Sequence, residues 1–170
     1  MIDFKRILCP VDLSEFSLDA LRLAVKLAES SGASLDILHA IHNPFDELYM
    51  TSITQTDPAL IDAYAVEPQT RAKITRATEE RTEALLKLFC HDAVKSHGKV
   101  HYHVRNGDPF ECIIDGAEDF LTDLIVLATH GRTGIKRLVI GSVAEKVVRH
   151  APCPVLTVKP NRTHAHEAAT

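Results

Sequence analysis

The sequence predicts an α/β domain, with an open five-stranded parallel sheet covered by helices on both faces. Two observations predict it. Short apolar runs alternate along the chain with segments of helical period, which is the order of a parallel sheet built by right-handed crossovers. Two of the runs, Ile7-Leu8-Cys9-Pro10-Val11 and Leu124-Ile125-Val126-Leu127-Ala128, carry no charged residue, as suits strands buried from both sides.

The first of these runs opens the sheet. Ser14 or Ser17 then caps a helix whose apolar positions Ala20, Leu21, Ala24, Leu27 and Ala28 share one face, and Gly32 ends it in the left-handed conformation favoured just past a helix. Leu35–Ile41 is the second strand. Residues 43–70 lose periodicity and contain Pro44, Pro58 and Pro68; an insertion that long in a compact domain is expected to be either functional or mobile. Helical period returns over Arg71–Ser96, with Ile74, Ala77, Leu85, Leu88 and Phe89 as the apolar side and Gly98 near the stop. Val100–Val104 is the third strand. Asp108 is placed to cap, and Pro109 to open, a helix that runs to about Phe120. The fully apolar fourth strand, Leu124–Ala128, belongs at the centre of the sheet. Ser142–His150 is a last short helix, Pro154–Val158 a fifth strand, and residues 161–170 a polar tail that frays. Residues 1–160 thus form one domain without internal repeats. The helices after the first and fourth strands both start at the carboxyl edge, where open α/β sheets bind ligands at the point of strand-order reversal.

Composition excludes several classes. The chain carries a net charge of −4 and no Trp, which gives no support to nucleic-acid binding through a basic or aromatic surface. No apolar run approaches the ~20 residues of a membrane span, and the first residues lack a secretory pattern. Cys9, Cys90, Cys112 and Cys153 are widely spaced and form no CxxC pair, so they read as reduced thiols of a cytoplasmic protein.

The chemistry concentrates between Ala128 and Val143. Gly131 and Gly141 bracket nine residues, and Ser142 opens a helix, so backbone N–H groups, a hydroxyl and a helix dipole can converge on anionic oxygens. Between His130 and His150 stand Arg132, Lys136, Arg137, Lys146 and Arg149 against Glu145 alone, a local balance of +4 in a chain of −4 overall. The alternative is a surface loop in which glycines merely turn the chain. Neither GxxxxGK[ST] nor GxGxxG occurs, so motor-type nucleotide hydrolysis is not expected.

The segment Ala-Thr-His-Gly-Arg-Thr-Gly…Gly-Ser-Val-Ala-Glu-Lys-Val-Val-Arg-His-Ala-Pro-Cys-Pro-Val-Leu resembles the C-terminal motif of the universal stress protein family. Ile7–Ser14 resembles that family's opening strand, and Gly107-Asp108-Pro109 its third helix start. The likeness covers the chain apart from residues 43–70 and the last ten. It implies an adenine nucleotide alpha-hydrolase-like sheet of order 3-2-1-4-5 and a dimer. It also implies the ATP-binding branch, marked by glycine, two residues, glycine, nine residues, then Gly-Ser or Gly-Thr. The second and third glycines match Gly131 and Gly141, followed by Ser142, whereas Ala128 replaces the first and its methyl could crowd the ribose. Carried over by residue, the resemblance places the backbone of Pro10 and Val11 beside the nucleoside, Asp12 as an acceptor for the ribose or adenine, and main-chain groups of Ala40 at the adenine edge. His130 and Arg132 flank the phosphates, and Val143 adds an N–H beside Ser142. Mg²⁺ or Mn²⁺ would be held mainly by phosphate oxygens and water. For Asp12 a helix-start cap is the competing role.

His101 and His103 share a strand face but lack a third ligand at a telling spacing, and His164 and His166 lie in the tail; neither pair makes a metal site. The apolar run ending at Val158 suits an edge strand open to pairing, and antiparallel pairing of this strand in a homodimer is expected. Two functions are consistent with these features: an ATP-binding stress or signalling module, at most a slow hydrolase, or a dimeric scaffold working through its surface and residues 43–70. A true enzyme is disfavoured, because no acid–base pair is visible.

Overall fold

The computed structural model describes residues 4–41, 67–130 and 140–159. Five parallel strands form one sheet in the order β3-β2-β1-β4-β5: β1 is Arg6–Pro10, β2 Ser34–Ile41, β3 Val100–Asn106, β4 Leu124–Ala128 and β5 Val155–Val158. The crossovers described are α1 (Glu15–Ser31), α2 (Pro68–Val94), α3 (Pro109–Asp119) and α4 (Ser142–His150). The α/β class and the strand order are those expected.

Local chemistry sets the boundaries. Ser14 is the N-cap of α1, accepting from the Ser17 N–H at 3.3 Å, and Gly32 closes that helix at φ 70°. Ser17, the other candidate cap, is instead a buried helical residue whose hydroxyl donates to the Ser14 carbonyl at 2.8 Å. Asp108 caps α3, accepting from the N–H groups of Phe110 and Glu111 at 2.9 and 3.3 Å, with Pro109 in the first turn. Helix α2 begins at Pro68, three residues before its expected start, because Pro at a first turn gives up no intrahelical bond. Its opening turns are exposed, so they carry no apolar period to mark them. The remainder of the 43–70 insertion, up to residue 66, and the tail 161–170 lie outside the described residues.

The packed side of α2 also differs from expectation. Leu86, Cys90 and Val94 are buried at four-residue spacing, whereas Ile74, Leu85 and Leu88 are exposed. The stripe that meets β3 and α1 is therefore rotated away from Leu85 and Leu88.

Alternation along the strands divides the core in two. Ile7, Cys9, Leu35, Ile37 and Val126 pack beneath α1 and α2, against Leu21, Ala24, Leu86 and Cys90. Leu8, Leu38, Ile125 and Leu127 face α3 and α4, against Ile113, Ala117, Ala144 and Val147. All four cysteines are free. Burial pushes the Cys90 thiol up to about 12 and raises that of Cys9 as well, which keeps both as neutral core residues.

The end of α3 carries a backbone strain. The Leu121 N–H donates to the Glu118 carbonyl at 3.0 Å and the Thr122 N–H to the Ala117 carbonyl at 2.9 Å, a paired closure that requires a left-handed residue. That residue is Leu121, at φ 52° and 75% exposed. A left-handed non-glycine costs about 1–2 kcal/mol, and glycine's extra chain entropy returns about 0.5–1 kcal/mol of that. Leu121→Gly should therefore stabilise the fold by about 0.5–1 kcal/mol, read as a higher urea midpoint at unchanged slope; a lower midpoint would show that this Leu packs favourably.

Candidate functional site

Strand β1 pairs with β2 on one side and β4 on the other, so the chain leaving β1 and the chain leaving β4 part at the carboxyl edge. A cavity of about 470 Å³ opens between them. Its lining combines the buried apolar Leu38, Ile113 and Leu127, as a floor, with the more exposed Asp12 and Ser142 at the rim.

On the β1 side, the ladder to β2 ends at the pair Pro10–Leu38. The Val11 N–H still reaches the Leu38 carbonyl at 2.9 Å, and the Val11 carbonyl lies 2.6 Å from His39 Nδ1. Asp12 then uses Oδ1 to accept from the Ser14 N–H at 3.1 Å and from the Ser14 hydroxyl at 2.5 Å. Asp12 thus braces Ser14, the N-cap of α1, rather than capping that helix itself, and it also lines the cavity.

On the β4 side, Thr129 is 2% exposed and joins three segments. Its N–H donates to the Val158 carbonyl at 3.0 Å, and its hydroxyl to the same oxygen at 3.3 Å. Its own carbonyl accepts the Gly141 N–H at 2.7 Å. Because the hydroxyl proton points at Val158, its lone pair is left for the His130 ring, whose Nδ1 is 2.9 Å away. Gly141 has an ordinary φ of −59°, so left-handed backbone does not explain it. Close approach does: a Cβ there would lie 3.2 Å from the Thr129 carbonyl oxygen. Gly141 is the N-cap of α4 and offers no side-chain bond to the first-turn N–H groups. Among the described residues no side chain meets those donors, and with the positive end of the helix dipole they can face an anion.

Pro10, Val11, Asp12, Ala40, Ala128, His130, Gly141, Ser142 and Val143 all line this cavity, although the chain separates the first from the last by most of its length. Gly131 and Arg132, the other two candidates, lie outside the described residues, as do Lys136 and Arg137. Two further basic residues of the local charge balance are occupied elsewhere on α4. Arg149 pairs with Glu145 at 2.9 Å, and Lys146 sits over the Phe110 ring at 5.6 Å. His39 and Thr129 line the cavity as well, and neither is among the residues expected from the sequence. Their roles depend on where β1 and β4 end, which apolar patterning leaves loose by a residue or two.

Of the two β3 histidines, His101 is exposed and His103 has a structural role. Nε2 of His103 lies 2.8 Å from the buried Asp36 carboxylate, and the ring stacks on Phe120 with centroids 4.1 Å apart. No group of three metal-ligating side chains occurs among the described residues. Nor is any helix among them long and apolar enough to cross a membrane.

Comparison with known proteins bears on the same fold. The model of the universal stress protein family matches residues 3–159, and the chain belongs to that family. It is 32% identical over 158 residues to the universal stress protein MJ0531 of Methanocaldococcus jannaschii, a match that covers 92% of this chain and 82% of that protein. The solved structure of the hypothetical protein MJ0577 superposes with a TM-score of 0.71 at 25% identity, over 95% of this chain and 99% of that one. The universal stress protein of Archaeoglobus fulgidus in complex with dAMP shares the fold, with a TM-score of 0.55 at 21% identity over 94% of this chain and 100% of that one.

The close contact at Gly141 gives a direct check. Gly141→Ala forces the methyl against a backbone oxygen that cannot rotate away, and overpacking of this kind costs about 1–3 kcal/mol. A lower thermal midpoint with an unchanged far-ultraviolet spectrum is the expected result; an unchanged midpoint would mean that the Thr129–Gly141 contact is loose in solution.

Proposed function

We propose that the protein is a cytoplasmic nucleotide-binding regulatory module whose ligand is ATP. The observation that carries the reading is the convergence of the uncapped start of α4 and the Asp12 carboxylate on one apolar-floored cavity. An apolar floor suits a purine, an acceptor at the rim suits ribose hydroxyls, and a free helix N-terminus suits phosphates. The relative from Archaeoglobus fulgidus in complex with dAMP supports an adenine nucleotide as the class.

In this reading Pro10, Val11 and Ala40 present backbone to the nucleoside, and Asp12 accepts from the ribose or adenine. Ser142 and Val143 give N–H groups to the phosphates, which Gly131, Arg132 and His130 flank. Gly141 lets the chain pass close beneath them. Mg²⁺ or Mn²⁺ is carried in with the nucleotide, on phosphate oxygens and water. Hydrolysis is at most slow, since the sequence has neither a P-loop lysine nor a Walker acid. Calorimetry with MgATP is the direct test, and folded protein that takes up no ATP at millimolar concentration would refute the reading. Ala128 lines the cavity where the ATP-binding branch has glycine. Ala128→Gly should tighten MgATP binding several-fold; equal affinity would show that the methyl does not reach the ribose.

A homodimer through β5 accompanies this reading. Among the described residues the strand has one neighbour in the sheet, β4, and it exposes Leu156 at 37% in an uncharged run. An open apolar edge pairs readily with a second copy. Sedimentation equilibrium should give a dimer for the wild type and a monomer for Leu156→Lys, whereas a wild-type monomer at working concentration would sink the assignment. If the dimer forms and no nucleotide binds, the scaffold reading takes over.

A further inference from the structure

His39 is 7% exposed, stands at the carboxyl end of β2 and lines the cavity beside Ala40. Its position is set by what happens to β1. That strand stops pairing with β2 at Pro10–Leu38, while β2 runs on to Ile41. Val11 is thus the first residue off the ladder, and its carbonyl is met not by a continuing strand but by the His39 ring, with Nδ1 at 2.6 Å. A carbonyl only accepts, so Nδ1 carries the proton. With the Val11 N–H on Leu38, both ends of this residue are tied to successive residues of β2.

The chain just beyond this clamp is strained. Leu13 has φ 63°, left-handed backbone in a residue that is not glycine. Such a conformation persists only where its surroundings over-determine it, and in ligand-facing loops the strain commonly belongs to the binding device. Here the loop is fixed at both ends. His39 and Leu38 hold Val11, and the Asp12 bonds to Ser14 anchor the start of α1.

We propose that His39 is the positioning residue of the nucleotide site: its Nδ1–H holds Val11, and through Val11 it sets Asp12 toward the nucleoside. The inference rests on the nucleotide reading and deepens it by dividing the site. The β1 loop governs the nucleoside end, through His39, and the start of α4 governs the phosphates. Loss of the His39 donor therefore weakens adenosine, AMP and MgATP by one common factor, whereas loss at the α4 end grows with the number of phosphates.

The test compares His39→Phe, which keeps ring volume without a donor, with His39→Asn, whose amide N–H can take the place of Nδ1–H. Calorimetry of folded full-length protein should show the Phe variant weaker by about tenfold toward all three ligands, the effect of one buried hydrogen bond, and the Asn variant within about threefold of wild type. Hydrogen exchange of residues 12–14 without ligand should be faster in the Phe variant and near wild type in the Asn variant. Unchanged affinities in the Phe variant, a loss confined to MgATP, or an Asn variant as weak as Phe would each overturn the proposal. Should the Phe variant not fold, nitrogen-15 spectra of the wild-type ring decide: an Nδ1–H tautomer supports the clamp and an Nε2–H tautomer overturns it. Failure of the wild type to bind any of the three ligands refutes the nucleotide reading itself, while ligand-free exchange and the ring tautomer still report on the clamp separately.

Discussion

The sheet turns on the double pairing of β1, which runs parallel to β2 on one side and to β4 on the other. A right-handed crossover from β1 to β2 and the crossovers leading to β4 and β5 must cover opposite faces. The loops that leave β1 and β4 at their carboxyl ends therefore diverge, and the gap between them cannot be filled by either connection. The cavity is a consequence of strand order before it is a property of any side chain. One wall is then fixed chiefly by main-chain bonds, with Thr129 holding both the Val158 carbonyl and the Gly141 N–H.

Legibility in the sequence depends on how local the physics is. Caps are readable, since Ser14, Asp108 and Gly32 act on neighbours within a few residues. The central strand is readable because Leu124–Ala128 contains no polar residue and both its faces are covered. The packed side of α2 is not. Leu85 and Leu88 are as apolar as Leu86, and only the docking of the helix on β3 and α1 selects the stripe Leu86–Cys90–Val94. The start of α2 escapes for a related reason, because exposed turns carry no period. Strand order needs the family resemblance, since alternation of helices and strands fits several orders.

The site divides in the same way. Gly141 and Ser142 declare themselves by residue type and by their place before a helix, and Asp12 by its place after a strand. The reason for Gly141 is nonetheless different from the one its type suggests. It adopts an ordinary backbone conformation, and what marks the position is the Thr129 carbonyl oxygen, which a Cβ would meet at a tight 3.2 Å. His39 leaves no trace in the pattern, because a histidine inside an apolar strand looks like any other tolerated core residue. Its meaning arises only when the pairing of β1 ends one residue short of it and the Val11 carbonyl is left to be met.

The two edges of the sheet show a final contrast. Among the described residues strand β3 has no neighbour on one side, but His101, His103 and Arg105 stand along one of its faces, with Arg105 paired to Asp119 and set over Phe120. Charged and hydrogen-bonded side chains of this kind discourage a second chain from adding to an edge. Strand β5 has the opposite character: its four residues are Val155, Leu156, Thr157 and Val158, without a charge among them. The carbonyl of Val158, the last of them, is the one that receives both donors of Thr129. The edge with the composition for pairing is thus also the edge bonded to the wall of the cavity, two hydrogen bonds from the Gly141 backbone.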